Sequence, residues 1–186
     1  MARTNGLMQS VKHGIVSAVE GSGDIASATV GAVSDTVAKA IEGVGDIATS
    51  LVGATAEVTH GAIAAVTEVG GDLGGATKGV VIGVLRGTKK AGAATLDTIG
   101  QTAESVIHIT ADTAGDLGTA AKGLVEGAID GAKELGLDTA QAASAAANGA
   151  LRAAGKVGSE AGQQVRNAVT GTIAGVKVVL KEPFKH

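Results

Sequence analysis

The chain contains no cysteine, no tryptophan and no tyrosine, and it has one proline and one phenylalanine. Without cysteine there is no disulfide framework, no thiolate nucleophile and no cysteine-based metal or iron–sulfur site. Aromatic rings bury about 150–250 Å² each and dominate most cores, so their near-absence leaves a compact fold little large side-chain surface to bury. Charge of one sign is lacking too: a formal net charge of −3 gives no basis for nucleic-acid binding. Mean hydropathy is +0.31, too apolar for an ordinary disordered chain. A long hydrophobic run is nevertheless missing. The longest stretch free of Asp, Glu, Lys and Arg is Thr139–Leu151, short of the roughly 18 apolar residues a membrane-spanning helix needs. Gln9, Ser10 and Lys12 interrupt any signal-peptide apolar region. The expected location is therefore the cytoplasm, peripheral to the inner face of a membrane. Together these absences argue against an ordinary globular enzyme.

What is present in excess is small: 36 of the 186 residues are alanine and 30 are glycine. They are not scattered. Asp24, Asp35, Asp46, Glu57 and Glu68 fall at intervals of eleven, and that frame cuts Val11–His186 into sixteen blocks without insertion or deletion. A longer echo lies on top, since Gly71–Gly92 matches Gly115–Gly136 at twelve of 22 positions. Eleven residues in three turns is about 3.67 per turn, close to the α-helical period, and gives a straight or gently right-handed supercoil. Wound on a helix, positions 4, 8, 1, 5 and 9 of each block form one arc of mainly Val, Ile, Leu, Ala and Thr. Positions 2, 6, 10, 3 and 7 form the opposite arc and hold nearly all the charge, with Gly or Ala at position 11 between the faces. The expected fold class is all-α: a long amphipathic Ala/Gly-rich helix, or several, assembling as a coiled-coil bundle or tube. Residues 1–10 read as an N-terminal segment, 11–175 as the repeat region and 176–186 as a C-terminal docking tail.

The apolar arc is small at its centre and larger at its flanks, where Ile25, Ile47, Leu85, Leu124, Ile129 and Ile173 mark the expected interface. Its width suits several helices round a common axis, or one helix on an apolar surface. Thirty glycines at about 1 kcal/mol each relative to alanine oppose a free helix, so packing must stabilise it. Gly71, Gly75, Gly79, Gly83 and Gly87 keep a spacing of four, as do Gly123, Gly127 and Gly131; such rows let helix backbones approach closely. Gly70–Gly75 is the best candidate for a turn. Against a turn there, the eleven-residue frame passes through without slipping, which a hairpin loop would disturb. An unbroken helix from Val11 to Gly175 would be a rod of about 250 Å; folded at glycine clusters, it would be a bundle.

No catalytic constellation is found, and no enzymatic activity is expected. His13, His60, His108 and His186 are far apart and form no metal-ligand pair. The eleven-spaced carboxylates lie about 16 Å apart along a helix and read as a solvated stripe. Lys12, Lys78, Lys89, Lys122, Lys133, Arg166 and Lys177 all occupy position 2, bordering the apolar arc. There they either reach anionic head groups or pair with carboxylates of a neighbouring helix. The last block, Val176–His186, breaks the pattern: Val178 takes a normally polar position, and Val178, Leu180, Pro183 and Phe184 read as residues that dock on a partner, or as a frayed end.

The repeat over Val11–Gly175, with its Thr, Gly and border lysines, resembles the lipid-surface helices of synucleins and perilipins. Late-embryogenesis-abundant repeats share the period but are more charged than this chain's 18%. The length, composition, small-centred apolar arc and distinctive tail Gly175–His186 (GVKVVLKEPFKH) resemble the stalk subunit of certain bacterial uptake nickel–iron hydrogenases. That resemblance implies a homo-oligomeric helical tube that scaffolds a redox enzyme and conveys quinone from the membrane through an apolar interior. The expectation is thus a non-catalytic scaffold holding quinone or lipid non-covalently. Its alternatives are a peripheral lipid-, membrane- or granule-surface protein that folds on binding, and a stress protectant.

Overall fold

The computed structural model describes residues 2–22, 24–42, 47–90, 92 and 95–181. Among them the chain forms eight helices: α1 (Ala2–Ser22), α2 (Ile25–Ile41), α3 (Ile47–Val69), α4 (Leu73–Lys90), α5 (Leu96–Asp112), α6 (Leu117–Leu135), α7 (Thr139–Val157) and α8 (Ser159–Val169). A two-stranded antiparallel hairpin follows, β1 (Thr172–Ile173) with β2 (Val176–Lys177). The protein is all-α apart from this hairpin.

The helices start where a side chain satisfies their free amides. Asp24 accepts from the backbone N–H and the hydroxyl of Ser27, Thr95 from Thr98 N–H, Asp116 from Thr119 N–H and Asp138 from Gln141 N–H. Asp72 accepts from the N–H groups of both Gly74 and Gly75 at 2.9 Å. These side chains take over hydrogen bonds that the first turn of a helix cannot make internally. The preceding helices end in a matching way. Gly70 (φ +66°), Ala114 (φ +54°) and Gly136 (φ +73°) are left-handed. The next amide in each case donates back to a carbonyl of the last turn: Gly71 to Val66, Gly115 to Thr110, Leu137 to Ala132. A left-handed residue, one linker and a capping aspartate thus make the whole turn three times over.

Of the rod and the folded bundle that the repeat allows, the chain adopts the folded one, and the candidate turn at Gly70–Gly75 is a turn. The chain reverses there, between α3 and α4. Helix starts recur at about two eleven-residue blocks from α4 onward, 23, 21 and 22 residues apart from Leu73 through Leu96 and Leu117 to Thr139, although α3 with its turn takes 26. The period therefore counts through most of the reversals, and the described residues form no unbroken rod.

Helices α1 to α7 pack chiefly on a helix two places along, α2 on α4, α4 on α6, α5 on α7 and α1 on α3, with lesser contacts to immediate neighbours, while α8 packs equally on α6 and α7. Odd and even helices form two layers. Partners within a layer are parallel, because contacting residue numbers rise together: Gly79, Gly83 and Gly87 of α4 meet Thr29, Val33 and Val37 of α2. Between the layers lies a core of Val11 and Ile15 from α1, Val33 and Val37 from α2, Leu85, Ile99, Ile107, Leu124 and Ile129. The share of α7 in this core is Ala142, Ala143, Ala146, Ala147, Ala150, Ala153 and Ala154, all fully buried. Some buried threonines return their hydroxyls to their own helix, as Thr59 does to the Thr55 carbonyl at 2.7 Å and Thr102 to Thr98 at 2.7 Å, whereas those of Thr29 and Thr110 have no partner among the described residues.

Candidate functional site: the solvent face of α3, α5 and α7

The expected interface residues are used inside the single chain. Leu85, Leu124 and Ile129 are fully buried in its core. Ile25 opens α2 half-buried, with its Cδ1 against Gly71. Ile47 begins α3, and its side chain is outside the described residues. Ile173 is not helical, contrary to expectation: the last helix ends at Val169 and Ile173 lies buried in β1. The cause is the tight turn after it, where Ala174 and Gly175 both take positive φ, +47° and +80°, the geometry that joins two twisted strands.

The glycine rows stand at the helix contacts. A methyl placed on Gly79, Gly83 or Gly87 would lie 2.6, 2.7 or 2.8 Å from the Cβ of Thr29, Val33 or Val37. On Gly123 it would strike the Gly74 carbonyl and the Thr77 hydroxyl, on Gly127 the Lys78 carbonyl at 2.6 Å, and on Gly131 Leu85 Cδ1 at 2.6 Å. Gly71 and Gly75 flank Asp72: Gly71, in the turn, lies against Ile25 of α2, and Gly75, in the first turn of α4, gives its N–H to Asp72.

The carboxylates are not one solvated stripe, which is a second correction. Asp24 caps α2, and the Ser27 hydroxyl and amide hold its pKa below the ordinary value. Asp35 pairs with Lys90 at 3.3 Å and Glu68 with Lys12 at 2.6 Å. Glu57 is half-buried, burial raises its pKa, and its Oε2 has no partner among the described residues. Asp46 lies outside the described residues. Of the border cations, Lys12 and Lys78 pair across to a parallel neighbour, Lys78 with Asp130 at 2.7 Å; the Asp130 hydrogen bond raises the Lys78 pKa. Arg86–Glu134 and Arg152–Glu104 follow the same rule, so each described ion pair links helices two places apart. His13, His60 and His108 are separate and exposed, and no group of metal-ligating side chains occurs among the described residues.

What the fold does gather is a polar face along α5. On one side, Leu51, Val52 and Thr55 of α3 and Gln101, Ser105 and His108 of α5 line a groove of about 200 Å³. On the other, Gln101 and Glu104 face Gln141, Ser144, Asn148 and Arg152 of α7 across a groove of about 590 Å³. Glu104 is held by Arg152 at 2.6 Å. The C-terminal segment closes one flank. Val179 N–H donates to Ser144 Oγ at 3.1 Å, Asn148 Nδ2 donates to the Val179 carbonyl at 3.1 Å, and Lys181 N–H donates to Asn148 Oδ1 at 2.7 Å. Val178 is 7% exposed and Leu180 packs against the same core. The tail does dock, but Val178 and Leu180 dock on their own chain and are not free for a partner. Pro183 and Phe184 lie outside the described residues.

Ser144 and Asn148 escaped the sequence reading. They sit one helical turn apart in an alanine run, and that spacing on α7 was the available signal. The capping aspartates were also missed, although Asp24 and Ser27, and Asp116 and Thr119, carry the three-residue spacing of a helix start. No helix among the described residues is long and apolar enough to cross a membrane. Compared with protein families, curated proteins and solved structures, the chain matches none.

Proposed function

We propose that the chain is a non-catalytic scaffold subunit whose copies assemble into a stalk. The observation that carries this reading is the register lock: parallel neighbours are set by glycine contacts and by ion pairs such as Lys78–Asp130 and Arg86–Glu134. A block fixed at that many points transmits position along its length, which is what a spacer requires. Because Leu85, Leu124 and Ile129 are consumed inside the chain, a lipophilic molecule such as quinone or a lipid would be held between copies, facing a membrane on one side and a redox partner on the other. Protein purified under mild conditions from its native source tests this by native mass spectrometry. An oligomer carrying a lipid or quinone is the expected result; a bare monomer overturns it.

The second reading is a lipid-surface protein, favoured by Lys89, Lys122 and Lys133, which form no ion pair among the described residues. Circular dichroism separates the two. Strong helix without lipid supports the scaffold, and coil that becomes helical only on anionic vesicles supports lipid binding.

A further inference from the structure

We propose that the C-terminal segment Val176–Lys181, which begins with β2, is an exchange element: the cleft it occupies on α7 takes the same segment from a second copy, with Ala174–Gly175 as the hinge. The inference rests on the homo-oligomeric reading above and names the surface through which copies would join.

Three observations carry it. The first is how the segment is held. Apart from its β1 pairing and the bond from Val178 N–H to the Gly171 carbonyl at 3.0 Å, its polar anchors are Ser144 and Asn148, which bond the backbone of Val179 and Lys181 and not their side chains. An identical segment from another copy satisfies the same groups in the same register. The second is the hinge. The register Ile173↔Val176 forces a two-residue turn, and Ala174 sits in it at φ +47°. A residue with a Cβ is strained in that conformation, and short strained hinges favour exchange because opening them relaxes the strain while every other contact is re-formed in trans. The third is the seat. Val178 is buried against the core while Val179, next to it, is 59% exposed, so one side of the segment is anchored and the other stays open. Exchange exposes no new apolar surface on the rest of the block, since the cleft is refilled by its equivalent.

The absence of cysteine makes the test direct. One chain carries Ser144→Cys and another Val179→Cys, both checked for native helix content by circular dichroism. They are mixed, concentrated, left to exchange and then oxidised. The expected product is a disulfide-linked pair of chains, at a yield well above that of either variant alone. Adding Ala174→Asn to both chains, which gives the Asn-Gly sequence this turn prefers, should lower that yield about tenfold. The doubly substituted single chain is the control for reach and should close within itself. If it closes but the mixture gives no excess of linked pairs, the exchange is overturned. Light scattering on the unmodified protein then tells the two readings apart: an oligomer without cross-linking leaves the scaffold standing and removes only the exchange, whereas a monomer at every concentration removes both.

Discussion

The even layer and the α5–α7 seam of the odd layer reach close helix contact by different means. In the even layer, α4 and α6 offer bare glycine to large neighbours, Gly83 beneath Val33, Gly87 beneath Val37 and Gly131 beneath Leu85. In the odd layer, α5 and α7 meet at one glycine pair, Gly100 and Gly149, and α7 otherwise offers alanine. The even layer is a lock of ridges and notches, in which a wrong register is sterically refused. The α5–α7 seam is smoother, and its register depends on the Gly100–Gly149 contact and the Glu104–Arg152 pair; the α1–α3 seam of the same layer keeps a notch, Gly61 beneath Val11, and the Lys12–Glu68 pair. The difference shows that helix spacing and helix register are separable problems: small residues alone give the first, and size contrast gives the second.

Cutting a large side chain from the even layer should have the greatest effect. Leu124→Ala, at a fully buried site, is expected to lose about 3 kcal/mol, against about 1 kcal/mol for Ala147→Gly in the odd layer. Urea unfolding of the two variants measures both, and equal losses would abolish the distinction.

Adding a methyl to a notch comes next. Gly127→Ala drives Cβ to 2.6 Å from the Lys78 carbonyl and should cost about 2 kcal/mol. Gly149→Ala, which meets the Gly100 backbone, should cost as much and shows that the smooth seam still has one tooth. Gly155→Ala meets nothing within 4 Å and should raise stability by up to about 1 kcal/mol.

At the turns the layers are joined by equivalent reversals, of which one carries alanine where the others carry glycine. Ala114→Gly relieves a φ of +54° and should stabilise by about 1 kcal/mol. The thermal midpoint reads this, and a lower midpoint would contradict the turn geometry.

The smallest effect is pH. Asp24 and Asp116 cap helices of the even layer, and hydrogen bonds from Ser27 and Thr119 lower their pKa values. Their contribution is therefore complete above the ordinary aspartate value and is lost as pH falls through the lowered folded values. An acid titration of stability should steepen in that window, and Asp116→Asn, which still caps but does not titrate, should flatten it.

Much of this arrangement could be read from the residues alone. The helical class follows from the phase that sorts Val, Ile and Leu from Lys, Asp and Glu. The contact role of Gly79, Gly83, Gly87, Gly123, Gly127 and Gly131 follows from spacing and the absence of a side chain. The reversals did not follow, because helix starts from α4 onward recur every 21 to 23 residues, close to two repeat lengths, so those turns leave little trace in the period. The ion pairs did not follow either. Lys78 and Asp130 are neighbours only because α5 lies between them in sequence and not in space. The polar face of α5 and α7 was hidden for a similar reason: Ser144 and Asn148 acquire a role only when the tail returns over them.

The parallel order inside each layer has an electrical consequence. Helix macrodipoles that point the same way side by side repel, and the positive ends of α2, α4 and α6 emerge along one edge of the block. Asp24, Asp72 and Asp116 stand at those three ends, each placing a negative charge on a positive pole. The odd helices between them run the opposite way and bring their negative ends to the same edge. The edge is therefore a row of alternating poles, compensated where like poles would otherwise line up. A residue that begins as a hydrogen-bond acceptor for one amide thus also lets parallel helices lie at glycine distance.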